Sequence, residues 1–292
     1  MKKKFISLAV FALAAALGAF VLAGCAGGGA SGGAASSAAA TSGADASASA
    51  AATAAEFDGK FVVGFDQEYP PYGFVGENGE FTGFDLELAQ EVCARNGWEY
   101  SCVPINWDTK LEELNAGAFT CIWNGFTMEG READYAFSKP YMDNGQVIMV
   151  KADSDVKALA DLAGKTVGTQ VDSAAQEVLE GDQAKLAGTF AALETRPDYN
   201  IAATELEAGA LDALACDLSI AAYQMSQNPG KFKVLDEQLS AEHYAVGFKT
   251  DNQALADQVT ATLQEMAADG TVKSLCEKYS EYGISFDNWV LK

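Results

Sequence analysis

Arg131 closes the segment CIWNGFTMEGRE (121–132), just beyond an apolar run, Phe119 to Trp123, of the kind that fills a core. A guanidinium keeps its charge under all ordinary conditions, so close to a core it needs an anionic partner. Glu129, Glu132 and Asp134 offer a surface ion pair, a common and weak arrangement. The sharper expectation is a carboxylate that the chain does not itself supply, held in a two-pronged hydrogen-bonded pair. Asp217, ending LDALACD (211–217), is the matching anion, and it either caps the next helix or receives a cation. SAAQ (173–176) has the form of a capping box, Ser173 with Gln176, and a helix N-terminus attracts anions through free N–H groups and its dipole. Buried charges of either sign need partners, from the chain or from outside it.

The elements that must position these groups alternate between strand and helix signals. KFVVGF (60–65) reads as a buried strand, FDLELAQEVCARNG (84–97) as a helix with Leu88, Ala89, Val92 and Cys93 on one face and an Asn96-Gly97 stop. YSCVPI (100–105) reads as a strand, KLEELNAG (110–117) as a short helix and AFTCIWNG (118–125) as a third strand. Such a run argues for a mainly parallel sheet covered on both faces. QVIMVK (146–151), KTVGTQ (165–170), a helix over 173–180 and ALDALACD (210–217) predict a second α/β unit. HYAVGFK (243–249) and a helix over 252–268 close the chain. Ligands of such sheets sit beyond the carboxyl ends of the strands. Asp66, Tyr69, Trp107 and Asn124 fall there in the first unit, Gln170 and Asp217 in the second. A cleft between two lobes follows. Tyr69 and Trp107 as plain core aromatics, and Glu237 and Glu242 as solvated charges, are the bland expectations beside it.

The N-terminus carries an export signal: Met-Lys-Lys-Lys, an apolar stretch from Phe5 to Leu22, then Ala23-Gly24-Cys25. An uncleaved membrane anchor is the alternative that its length allows. Residues 26–55 are nearly all Ala, Gly, Ser and Thr, too poor in large apolar surface to order, and are expected to act as a tether spanning roughly 30 Å. Its glycine clusters are no phosphate loop, having neither strand before nor helix after. The net charge is −22, and removing residues 1–24 leaves 16 basic against 41 acidic residues, a balance of −25. So acidic a body is a poor partner for nucleic acid or an anionic membrane surface. Beyond Cys25 there are five cysteines and one histidine, His243, with no CxxC spacing. A zinc site is not expected, no cofactor is implied, and the cysteines are expected as small buried hydrophobes, although two disulfides with one thiol over could be drawn fifteen ways.

GFDLELAQEV (83–92) resembles the family 3 extracellular solute-binding proteins, the polar amino-acid receptors of ABC importers. VVGFDQEYPPYGF resembles their opening strand and proline loop, GREADYAFSKPY their arginine segment and first crossover, LDALACD the strand ending in the ligand-binding aspartate, and HYAVGF the return crossover. Separately, Leu-Ala-Gly-Cys (22–25) resembles a lipoprotein signal motif, which would make Cys25 the diacylglyceryl anchor and first mature residue. The likeness spans Phe57 to Tyr279 and implies a periplasmic-binding-protein-like fold, two α/β lobes joined by a two-stranded hinge. Lobe one would be 56–142 with 241–292, and lobe two 143–240.

By that resemblance Arg131, helped by the helix start at Ser173 and Ala174, would hold an α-carboxylate. Asp217 would take the α-ammonium, with the carbonyl of Asn124 and groups around Phe126 and Thr127. Tyr69 and Trp107 would sandwich the side chain, with Asp66, Glu68 and Gln170 near its polar end. Asn124 and Gly125 depart from the small hydroxyl residues usual in the family, and Ala174 from a hydroxyl or glycine. The implied protein is no enzyme but a monomeric, membrane-tethered receptor on the outer face of the cell membrane or in a periplasm. It would bind an L-amino acid (polar, cationic, amide or cystine-like) and pass it to an ABC permease. Two rivals share the architecture: a cyclohexadienyl dehydratase-like enzyme using Glu68 or Asp217 as acid, and a sensor docking a membrane kinase.

Overall fold

The structure is a computed structural model that describes residues 57–292; the expected signal sequence, the Cys25 anchor and the 26–55 tether lie outside the described residues. The first sheet has the order Glu99–Pro104, Lys60–Phe65, Cys121–Ile122, Gly247–Phe248, Ala136–Phe137. Its first three strands are parallel, and the last two join antiparallel. Parallel strands have both faces to hide, and Phe61, Val63 and Phe65 are fully buried. Helix Phe84–Asn96 covers one face with Leu88, Ala89, Val92 and Cys93, and it ends where expected, on Gly97 in the left-handed conformation.

The second sheet has the order Ala192–Arg196, Thr166–Gln170, Ala213–Asp217, Met142–Lys151, Phe232–Val234. Strand Ser240–Tyr244 lies antiparallel along the first half of Met142–Lys151. The chain therefore passes between the sheets twice, at 138–141 and at 245–246. A small three-stranded sheet, Glu68–Tyr69, Gly73–Val75 and Phe81–Thr82, hangs from the first lobe. Two α/β lobes with a paired crossing are thus in place.

Several elements differ from the sequence expectation. The strand expected over 118–125 is reduced to Cys121–Ile122, because residues 123–127 leave the sheet to form the cleft wall. HYAVGFK divides between two sheets, Ser240–Tyr244 in one and Gly247–Phe248 in the other, which a continuous apolar run does not disclose. Strand Ala192–Arg196 and helices Tyr199–Ala208 and Leu218–Gln227 were not expected. The helix at 199 had a legible start, since Asp198 accepts from the Ile201 N–H at 2.7 Å. The five cysteines of the described residues are unpaired, and four are buried.

Asp85 ties the first lobe to both crossing and cleft. It is fully buried, and its Oδ2 accepts from the Gly125 N–H at 2.6 Å and from the Tyr141 hydroxyl at 2.7 Å. Burial pushes its carboxyl up to about 7 from the usual 3.8, against the opposing pull of these donors. The folded protein then binds a proton that the unfolded chain has lost. The contribution is whole below about pH 4 and declines as pH rises towards 7, by about 4 kcal/mol in all. Urea unfolding at pH 4 and pH 8 should show the parent losing stability relative to Asp85→Asn by a large part of that amount. A pH-independent difference between the two would contradict this account.

Candidate ligand-binding cleft

The carboxyl ends of both sheets face one enclosed space, lined by Tyr69, Trp107, Gly125, Thr127 and Arg131 from one lobe and Gln170, Ser173, Ala174, Tyr199 and Asp217 from the other. It is shut down to about 10 Å³, room for about one water molecule. Eight of the residues expected to bind line it. Asp66 stands just behind, its Oδ2 accepting from Gln170 Nε2 across the lobes at 2.7 Å; burial raises its carboxyl above the usual range.

Two expected residues are not in the lining. Asn124, of which the backbone carbonyl was expected to serve, is fully buried with its side-chain Oδ1 close to Gly73, and neither polar atom of that side chain has a partner. Phe126 is fully buried in an aromatic cluster with Trp107, Tyr135 and Phe137 and serves from behind, its ring 4.9 Å beneath the Arg131 guanidinium. Gly125, between them, takes their place at the wall. Its φ of +56° and the tyrosines pressed on it (Tyr69 3.0 Å and Tyr244 3.2 Å from where a Cβ would stand) leave no space for a side chain.

Arg131 is almost wholly buried and is not partnered by Glu129, Glu132 or Asp134. Nor does it lack a carboxylate of the chain's own. Glu177, from helix Ala174–Glu180 of the facing lobe, accepts from its Nη2 at 2.8 Å and its Nε at 3.2 Å. The third nitrogen, Nη1, donates to the Thr127 carbonyl at 3.3 Å. The Glu177 side chain is 43 % exposed, so this partner can be given up to water at little expense. Lys110, at the start of the short helix expected over 110–117, is buried beside Arg131. It donates to the Trp107 carbonyl at 3.1 Å and pairs with the half-exposed Asp172, and burial lowers its affinity for its proton.

Asp217 stands at the N-cap of helix Leu218–Gln227 without capping it. Asn144 Oδ1 takes the Ser219 N–H instead, at 3.2 Å, leaving the Asp217 carboxylate to accept from Tyr244 Oη at 2.8 Å, Gln146 Nε2 at 3.0 Å and Asn144 Nδ2 at 3.1 Å. Ser173 caps its helix as expected, accepting from the Gln176 N–H at 3.2 Å, while Gln176 Oε1 reaches back to the Asp172 N–H at 2.8 Å. Glu242 is corrected outright: it is 3 % exposed, not solvated, and shares the Asn144 and Gln146 amides with Asp217.

Tyr69 and Trp107 are parallel to within 9°, their ring centroids 6.5 Å apart. A layer between them needs two contacts of about 3.5–4.0 Å each, so the rings must part by roughly 1 Å to admit one. Glu68, also expected near the polar end, accepts from Asn200 Nδ2 across the lobes through its carbonyl at 3.1 Å and its carboxylate at 3.3 Å.

The model for bacterial extracellular solute-binding proteins, family 3, matches residues 61–282. The chain belongs to that family. Among its relatives is the L-cystine-binding protein TcyJ of Escherichia coli K12, 30 % identical over 224 residues that cover 76 % of this chain and 82 % of the relative. A substrate-binding protein of an ABC uptake transporter from Streptococcus pneumoniae, with bound histidine, superposes with a TM-score of 0.74 at 28 % identity, covering 78 % of this chain and 95 % of its own. An ancestral amino-acid-binding protein, a precursor of cyclohexadienyl dehydratase, does so with 0.69 at 29 % identity, covering 76 % and 95 %. As a solute-binding protein the chain is a receptor, not an enzyme, and among the described residues no helix is long and apolar enough to cross a membrane.

Gly125→Ala should lower stability by about 1–3 kcal/mol, since the added methyl meets two tyrosine rings at a left-handed backbone position. Chemical denaturation checks this, and an unchanged midpoint would mean that the tyrosines have room to yield.

Proposed function

We propose that this protein is a receptor for an L-amino acid, feeding an ABC importer. The observation that carries the reading is the polarity of the cleft. Arg131 lines one side with only the half-exposed Glu177 as carboxylate partner and the buried Lys110 close behind it, and Asp217 lines the same enclosure with no ion-pair partner among the described residues. An α-carboxylate displaces Glu177 from Arg131, assisted by the start of the helix at Ser173 and Ala174. An α-ammonium settles on Asp217, with Thr127 and the backbone around Gly125. The side chain passes between Tyr69 and Trp107 towards Asp66, Glu68 and Gln170. Beyond Trp107 a groove lined by Asp66, Glu68, Glu113 and Asp198 holds no basic residue, which favours a ligand with a cation or hydrogen-bond donor at its far end.

Closure is the working step. Ligand touches both lobes only when they shut, so it favours the shut state and shifts the population towards it. The pairs Arg131–Glu177, Lys110–Asp172 and Asp66–Gln170 cross the same gap. Lobe one is taken as 56–142 with 241–292, and lobe two as 143–240. The receptor works as a monomer tethered through a lipid on Cys25 outside the membrane, and a permease accepts the cargo from the shut form. The relatives' cystine and histidine support a polar amino acid as ligand.

A thermal-shift screen of L-arginine, L-lysine, L-histidine, L-glutamine and L-cystine tests this. A ligand at about 100 times its dissociation constant should stabilise the protein by about 2.7 kcal/mol, and silence across the screen would reject the reading. By calorimetry Arg131→Ala should lose at least ~2 kcal/mol of affinity. Glu177→Gln should gain severalfold, because the ligand no longer competes for the guanidinium. Weaker binding by Glu177→Gln would instead make Glu177 part of the ligand shell.

A further inference from the structure

Glu242 lies on a crossing strand, where the sequence gives no reason to expect chemistry. Its carboxylate is nonetheless buried against that of Asp217, and the two share the same pair of donors. Asn144 Nδ2 stands 2.5 Å from Glu242 Oε1 and 3.1 Å from Asp217 Oδ1, and Gln146 Nε2 stands 2.9 Å and 3.0 Å from the same two atoms. Glu242 is 3 % and Asp217 4 % exposed. Among the described residues no lysine, arginine or histidine comes within ion-pair distance of either.

Arg131 lines the same enclosure as Asp217 but pairs with Glu177 of the facing helix, and Tyr72, which also faces Asp217, is held protonated by burial. Tyr244 comes from the same strand, Tyr69 from the small sheet, and Tyr199 and Cys216 from the second lobe; burial holds each of them protonated. His243 is next in sequence, but successive side chains of a strand point to opposite faces. It meets Glu129 and Asp143 there instead. Gln146 Oε1 is buried without a donor. Acceptors therefore outnumber donors, and two adjacent carboxylates out of water do not both stay ionised without a counter-charge.

We infer that Asp217 and Glu242 share one proton in the ligand-free protein, and that the ammonium of the ligand replaces it. Glu242 is then a positioning residue that acts through Asp217. Capture runs as an exchange: one R–NH3+ enters, one proton leaves to solvent, and the two carboxylates are left facing a cation that brings three donors. Burial and the neighbouring Asp217 both raise the Glu242 carboxyl above its usual range, in keeping with a retained proton. The inference rests on the receptor reading for the identity of the incoming cation, while the shared proton stands on the geometry of the ligand-free protein.

Two measurements test it. Calorimetry with the tightest binder among L-arginine, L-lysine and L-glutamine, none of which titrates between pH 5 and pH 8, is run in buffers of different ionisation enthalpy. The parent should release close to one proton per ligand at pH 6, with affinity rising up to tenfold per pH unit. Glu242→Gln should release none and bind with flat affinity over that range. Infrared spectra of the ligand-free protein at pH 6 should carry a protonated-carboxyl band that Glu242→Gln lacks. Binding without proton release in the parent, which needs no variant to fold, overturns the inference and leaves the receptor function standing. An infrared band unchanged by the substitution overturns it as well. If none of the three amino acids binds, the infrared difference alone decides whether the pair holds its proton, and the receptor reading is decided by the wider thermal-shift screen.

Discussion

A charge taken out of water must find an opposite charge, a proton or a fan of hydrogen bonds. The region between the two sheets is organised by that constraint. At one side it gathers Arg131 and Lys110, each braced from below by backbone carbonyls and aromatic rings. At the other it gathers carboxylates, held by amides and a tyrosine hydroxyl and, among the described residues, by no cation. Neither pole is satisfied within itself, so the enclosure is chemically unfinished in a way that suits a dipolar guest.

The two poles are unequal, and the inequality shapes how they work. The cationic side has carboxylates of its own, Glu177 and Asp172, but both belong to the opposite lobe and both keep one edge in water. They hold the jaws together weakly and are released cheaply. The acidic side has no such temporary partner, because it is set deep beside the crossing strands. On the proposed reading its neutralisation falls to whatever arrives, whether proton or ammonium. Shutting the cleft strengthens every one of these interactions by excluding water, which links the binding of solute to the position of the lobes.

The scaffold reaches this site through few connections. Asp85 joins the start of a helix to Gly125 at the cleft wall and to Tyr141 at the crossing. Tyr244 ends a crossing strand and donates to Asp217. The crossing segments are thus wired into the site as well as passing by it.

Much of this was legible in the chain. Periodicity placed a helix at 84–97 and strands at 60–65 and 165–170, within a residue of where they stand, because each buries one face or both, and that requirement is written locally. Arg131 and Asp217 announced themselves as charges at the ends of apolar runs. What the chain could not disclose were pairings between residues distant in sequence. Glu177 lay within the expected 173–180 helix with nothing to single it out until folding set it against Arg131, and Glu242 was expected as a solvated charge until its strand was laid beside Asn144 and Gln146. Local sequence determined which groups were charged and which faces were apolar. Only the tertiary structure decided which charges meet, since that depends on how two sheets are brought edge to edge.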